Sequence, residues 1–398
     1  RWMEDPAAPE TVAWVEKENQ ITRHYLDGIP SRPSIEKRMT EIWDYPKYSI
    51  PSRKGNRYFF SKNSGLQNQS VVYMQDSLQG EAKVLLDPNQ LSPDGTVALS
   101  SESYSKDGTL LAYAISKSGS DWNEIKIRNL DTGQDFPETL QWVKFSGAAW
   151  ATDHSGFYYS RYPEPGDNAL EAQNSHNKVY WHKLGTPQSE DVLTFETPDQ
   201  PDYAFTPMIT DDGQYLLLYV HYSDYASNRI YYRRIDSQGE FIRLLDEGDA
   251  LYDPIESHGD LLYFKTDLDA PRGRVIAIDT KNPDRANWKI LIPEQDDVMS
   301  SVSMVNRKFV IQFMRDAHHI LKIYNQEGQF RKEIELPTLG SIGGMSGQSD
   351  QTEMFFSFTS FLYPGTQYRY DFTTDTLSVF RESEAKFDPT PYETRQVF

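Results

Sequence analysis

Seven short segments of this 398-residue chain carry the same local text: a turn rich in Asp, Gly, Asn or Ser, then a run of apolar and aromatic residues. They are "RKGNRYFFSK" from Arg53, "SKDGTLLAYA" from Ser105, "TDHSGFYYSR" from Thr152, "TDDGQYLLLY" from Thr210, "SHGDLLYFKT" from Ser257, "VNRKFVIQFM" from Val305 and "SDQTEMFFSF" from Ser349. Their starts recur at a period of about 49 residues, within the range of repeat architectures. Each run leads to a second strand, such as "NEIKIRNL" or "NRIYYRRI", and most to a third: "EAKVLLD", "DVLTFET", "EFIRLLD", "NWKILIP" and "TLSVFRE". Before each turn stands a segment of small and hydroxyl-bearing residues: "YSIPS", "LSSES", "KFSGAAW", "AFTPMIT", "YDPIES", "SSVSM" and "SIGGMSG". Such residues suit the innermost strand of a radial blade, where sheets crowd toward one axis.

Four strands in each of seven units predict an all-β, seven-bladed β-propeller. An irregular β-sandwich would leave the period without a cause. All strands of a blade come from one contiguous segment, the first from about Tyr48 to Leu86 and the last from about Ser341 to Phe380. The ring is therefore expected to close by side-chain packing, with no swapped strand at the seam.

Composition narrows the partners. Aromatic residues are 13% of the chain, which suits many short strands and opposes disorder. Asp and Glu total 59 against 40 Lys and Arg, a formal charge of -19, which opposes binding to nucleic acid or an anionic membrane. With no cysteine there is no disulfide framework and no thiol nucleophile, a usage that suits the cytoplasm. The longest apolar runs, such as Tyr215 to Val220, fall far short of the roughly 20 residues a membrane helix needs. The chain opens on Arg1 without an initiator Met or a leader, so a trimmed or partial chain is expected.

Two segments lie outside the repeat. "APETVAWVEKENQITRHYLDG" predicts a helix, with Pro9 near its start, Val12, Val15, Ile21 and Tyr25 at helical spacing, and Gly28 and Pro30 at its end. "PSIEKRMTEIW" predicts a second, capped by Ser34, with Ile35, Met39, Ile42 and Trp43 on one face. At the other end, "YETRQVF" (392 to 398) reads as the start of a strand.

The residues alone offer no active site. No G-x-S-x-G elbow occurs, and the nearest text, "GGMSGQ", puts Ser346 on an inner strand, where blade packing explains it. Asp153, His154 and Ser155 are consecutive on a turn, whereas a working triad converges from separate elements. His318 and His319 lack the spacing of a metal pair. No phosphate loop, calcium loop or dinucleotide fingerprint is present, and no cofactor is expected.

Longer stretches resemble a known family. "RWMEDP", "MTEIWDYPKYS", "NSGLQNQSVVYMQDSL", "VLLDPNQLSPDGTVAL", "SGSDW", "WVKFSGAAW" and "FTSFLYPGTQYRYD" resemble, in order along essentially the whole chain, the amino-terminal part of the prolyl oligopeptidase family. The resemblance implies an α/β-hydrolase domain interrupted by the propeller. Residues 1–46 would be the helical hydrolase piece, 47–386 the propeller, and 387–398 a linker and first strand back to the hydrolase. The family's Ser, Asp and His lie beyond Phe398, so no residue here takes a catalytic role. The resemblance further implies a propeller that caps a serine peptidase cutting after proline and admits only short peptides. The expected partners are short proline-containing peptides and the hydrolase domain of the same protein, in a cytoplasmic monomer. Phe145 in "WVKFSGAAW" matches a family aromatic that lines the substrate pocket, placed here on the inner strand of the third blade; a core Phe between blades is the alternative. The family's Met and two Cys of that pocket correspond to Ala204, Asp224 and Gly147, which alter its size and polarity. A free-standing, noncatalytic peptide-binding propeller is the second functional reading. Trp2, Trp14, Val15 and Trp43 favour the first, because they need a packing partner.

Overall fold

Short β-rich runs separated by tight turns can pair only with their neighbours in sequence, and that is the observed topology. The computed structural model describes residues 2–166, 173–222, 227–237 and 239–398. Seven antiparallel sheets follow one another along the chain, each built from consecutive strands, and together they form the seven-bladed propeller. Blade two, for example, runs Val97–Tyr104, Leu110–Lys117, Asn123–Asn129 and Asp135–Val143 from axis to rim. Blade one has its inner strand in two pieces, Lys47–Tyr48 and Ser52–Lys54, both paired to Arg57–Asn63. Pro51 lies in the gap, and having no N–H it cannot continue the ladder. Two outer strands carry no clear apolar text: Asp135–Val143 in blade two and Phe330–Ile334 in blade six.

The second strand of each blade is covered on both faces by neighbouring blades, which is why its text is continuously apolar rather than alternating. Leu110 to Ile115 are all buried. The core is accordingly divided into layers between blades, as where Tyr215, Leu217 and Ile230 of blade four meet Leu262, Phe264 and Ile276 of blade five.

Strand direction defines two faces. Inner strands start, and outer strands end, on the proximal face, so the chain joins the ring at Lys47 and leaves it at Arg381 on that one side. On the distal face the turns of adjacent blades interlock. Gly55 (φ 56°) and Gly108 (φ 72°) face each other's turns. A Cβ on Gly55 would stand 2.2 Å from the Asp107 carbonyl oxygen, and one on Gly108 2.6 Å from that of Lys54.

Among the described residues no strand is exchanged at the seam between blades one and seven. Polar side chains fasten it instead. Glu353, 4% exposed, accepts from Tyr58 Oη at 2.5 Å and from Arg369 Nε at 2.6 Å, with Arg53 Nη1 3.8 Å away. Burial and the Glu353 carboxylate push the Tyr58 phenol up to about 12. Ser346 Oγ donates to the Pro51 carbonyl, Gln351 Nε2 to that of Arg53 and Gln367 Nε2 to that of Tyr48. Ser346 thus sits in the seam, as expected of a blade-packing residue, and the Arg381 guanidinium lies 3.9 Å over the Tyr48 ring.

The two helices are Pro9–Asp27 and Arg32–Trp43. The second starts earlier than Ser34: Ser31 is its N-cap, and Ser34 lies within the first turn, donating from Oγ to the Ser31 carbonyl at 2.7 Å. Pro33 at the second helical position explains the shift, since its missing N–H costs nothing there. Val12, Trp14, Val15, Ile21, Tyr25, Ile35, Met39 and Trp43 are exposed. Lys47 Nζ joins the end of the second helix to blade one by donating to the carbonyls of Trp43 and Gly65. Residues 392–398, read from the sequence as the start of a strand, carry no ladder with the described residues. Among the described residues no helix is long and apolar enough to cross a membrane.

Candidate functional site

The proximal face between blades two and three carries an exposed aromatic on a fastened loop. The sequence placed Phe145 on an inner strand, but the strand of blade three is only Ala149–Trp150, and Phe145 precedes it. The cause is local: Phe145 (φ 55°) takes left-handed backbone, which breaks a ladder and is a true outlier for a bulky side chain, and Trp142 (φ 64°) does the same near the end of the outer strand of blade two. Phe145 is 58% exposed, so it is not a core residue between blades.

Its neighbours hold the loop. Ala148 N donates to Ser103 Oγ at 3.2 Å, Trp150 Nε1 to the Ser103 carbonyl at 2.8 Å, and Ser160 N to Ser146 Oγ at 3.0 Å. Lys144, beside Phe145, is 7% exposed; its Nζ lies 4.0 Å over the Trp122 ring and donates to Asn174 Oδ1 at 2.9 Å. Burial holds the Lys144 ammonium below the usual lysine range. Trp122 also meets Trp142 and Tyr162 edge to face, with centroids 5.8 and 6.3 Å apart.

Gly147 is in the same loop, where an added Cβ would meet Ser103 Oγ at 3.1 Å. Ala204 opens the inner strand of blade four, paired with His221, on the same face. Asp224 lies outside the described residues.

At the other end of the axis the inner strands converge on a charged plug that the sequence reading missed. A cavity of about 320 Å³ is lined by Lys54, Met208, Asp211, Glu256, Met304 and Gln348, among others, and one of about 260 Å³ beside it shares Lys54, Met208, Asp211 and Gln348. Lys106 Nζ donates to the Asp211 carbonyl at 2.6 Å. Glu256 accepts from Ser257 N at 2.7 Å and from Asp211 N at 3.3 Å. Burial, with the Asp211 carboxylate next to it, pushes Glu256 up to about 8, and burial lowers Lys54. The available signal was positional, since Lys54, Lys106 and Asp211 all stand at the ends of inner strands, next to the repeated turns.

The other sequence candidates are structural. Ser155 Oγ and N both bond Asp153 Oδ1, while His154 Nδ1 lies 3.2 Å from Asp107 Oδ2 of blade two, so the three do not converge. His319 Nδ1 accepts from Ile342 N at 2.8 Å, tying blade six to blade seven. Among the described residues no group of three His, Cys, Asp or Glu could hold a metal ion.

These features define a class: a seven-bladed propeller latched by side chains, joined at one face to helices with unburied apolar surface. Residues 1–383 match the family described as prolyl oligopeptidase, N-terminal beta-propeller domain, and the chain belongs to that family. It is 38% identical over 399 residues to a prolyl endopeptidase of Elizabethkingia meningoseptica, covering 100% of this chain and 56% of that relative. Among solved structures, one from a study of two prolyl endopeptidases superposes with a TM-score of 0.94 at 28% identity, covering 100% of this chain and 59% of that one. Prolyl oligopeptidase B from Galerina marginata, bound to a 25mer macrocyclization substrate, gives 0.92 at 27% identity, with 100% and 59% covered. The chain spans about half the length of the curated relatives it matches.

Proposed function

We propose that this chain is the substrate-gating part of a serine peptidase that cleaves short peptides on the carboxyl side of proline, with its Ser, Asp and His outside these residues. The observation that carries the reading is the match of residues 1–383 to the propeller family of prolyl oligopeptidases. The single-face attachment supports it: the segments before Lys47 and after Arg381 both leave the ring on the proximal side, where a hydrolase domain would sit over Phe145. The exposed Trp14, Val15, Met39 and Trp43 would pack on that domain. Residues 47–386 form the gate, Phe145 contacts a substrate residue upstream of proline, and Gly147 and Ala204 widen the pocket around it. The proposed partners are short proline-containing peptides, in a monomeric, cytoplasmic enzyme.

The test is cleavage of a short chromogenic peptide ending in proline, by the longer protein and by residues 1–398 alone. Cleavage by the longer protein only is expected. Cleavage by residues 1–398 alone would place the nucleophile within them, and no cleavage by either would leave a propeller that acts by binding.

A further inference from the structure

The loop that presents Phe145 costs conformational strain, because Phe145 holds left-handed backbone, and so does Trp142 just before the loop, at the end of the outer strand of blade two. Such a conformation persists only where the surroundings over-determine it. Among those surroundings is Lys144, a buried cation that donates to the side-chain carbonyl of Asn174, lies 4.0 Å over the Trp122 indole and is attracted by the Asp121 carboxylate beside that indole. Trp122 comes from blade two, while Asn174 and Tyr162 belong to the connection that follows the second strand of blade three. Trp122 also packs edge-on against Trp142, the other strained residue.

We propose that Lys144 and Trp122 form a cation–π clamp that positions Phe145, and so sets selectivity for the substrate residue upstream of proline. The proposal rests on the reading of Phe145 as a substrate contact. Neither residue touches substrate; both act through the loop. A desolvated cation over an indole is among the stronger contacts of its kind. Its loss frees the Lys144–Ala148 segment to relax from left-handed backbone, and Phe145 then leaves the position in which it meets the peptide.

The experiment compares two substrates of the longer protein: a minimal one ending at the residue before proline, and one extended upstream by an apolar residue. Phe145→Ala, Lys144→Met, Trp122→Leu and the conservative Lys144→Arg are each measured for kcat and KM, with thermal melting as the check on folding. The clamp predicts that Phe145→Ala, Lys144→Met and Trp122→Leu all raise KM for the extended substrate by about fivefold to tenfold, with kcat and the minimal substrate little changed. Lys144→Arg keeps a cation on the indole and retains the parental KM. Loss in Phe145→Ala alone would overturn the clamp while leaving the Phe145 contact intact. Loss equal in Lys144→Arg and Lys144→Met would also overturn it, as would an unchanged extended substrate in Phe145→Ala, which defeats the contact itself. Should Lys144→Met not fold, Lys144→Gln decides in its place by the same KM comparison.

Discussion

At the scale of single residues, the seam and the distal plug are held by charges that would be costly alone. Glu353 is buried against Tyr58, Arg53 and Arg369, so truncating it takes the carboxylate from Arg53 and leaves Arg369 with Asp371 alone. Glu353→Ala is expected to lower unfolding free energy by about 3 kcal/mol in denaturant titration, the usual loss when one partner of a buried pair goes. Gly108→Val meets the Lys54 carbonyl and a positive φ together, and should destabilise by about 2 kcal/mol or more, whereas Gly133→Val, which meets the positive φ but open space, should lose less. Glu256 gives a pH signature. Its carboxyl is raised from 4.5 to about 8 on folding, so the folded chain holds a proton that the unfolded chain releases across that window. Stability therefore falls as pH rises from about 5 to 8, and Glu256→Gln should flatten most of that fall, read from melting at several pH values.

At the scale of elements, the sequence makes plain whatever depends on pairing between neighbours. The seven second strands are continuous apolar runs because both their faces are covered, and the small inner-strand residues follow from crowding at the axis. The outer strands of blades two and six were hidden by their own composition. Phe330–Ile334 is largely charged, and Asp135–Val143 contains Pro137. Phe145 was found by resemblance, but its position just outside a strand depends on two backbone angles that no local pattern encodes. The axial plug was invisible for another reason: Lys54, Lys106, Asp211 and Glu256 are far apart in sequence and meet only when the ring closes. The second helix began early because Pro33 fits its first turn, which a cap at Ser34 would not allow.

At the scale of the whole molecule, a ring fastened by side chains and joined to its surroundings on one face can open in two ways, at the seam or away from the hydrolase domain proposed to cover it. The chain has no cysteine, so an engineered disulfide between blades one and seven would be its sole crosslink. If peptides need the seam, that crosslink slows turnover and reduction restores it; if they pass between the domains, turnover is unchanged and only a propeller–hydrolase crosslink slows it. Under the proposed function, either route would make the propeller a filter on substrate size. The most direct measurement is the rate at which the longer protein cuts one Pro–X bond in a short peptide and the same bond in an exposed loop of a folded protein. A gating propeller cuts the peptide and spares the folded protein, which becomes a substrate once unfolded and fragmented. Comparable rates on both would contradict the gate.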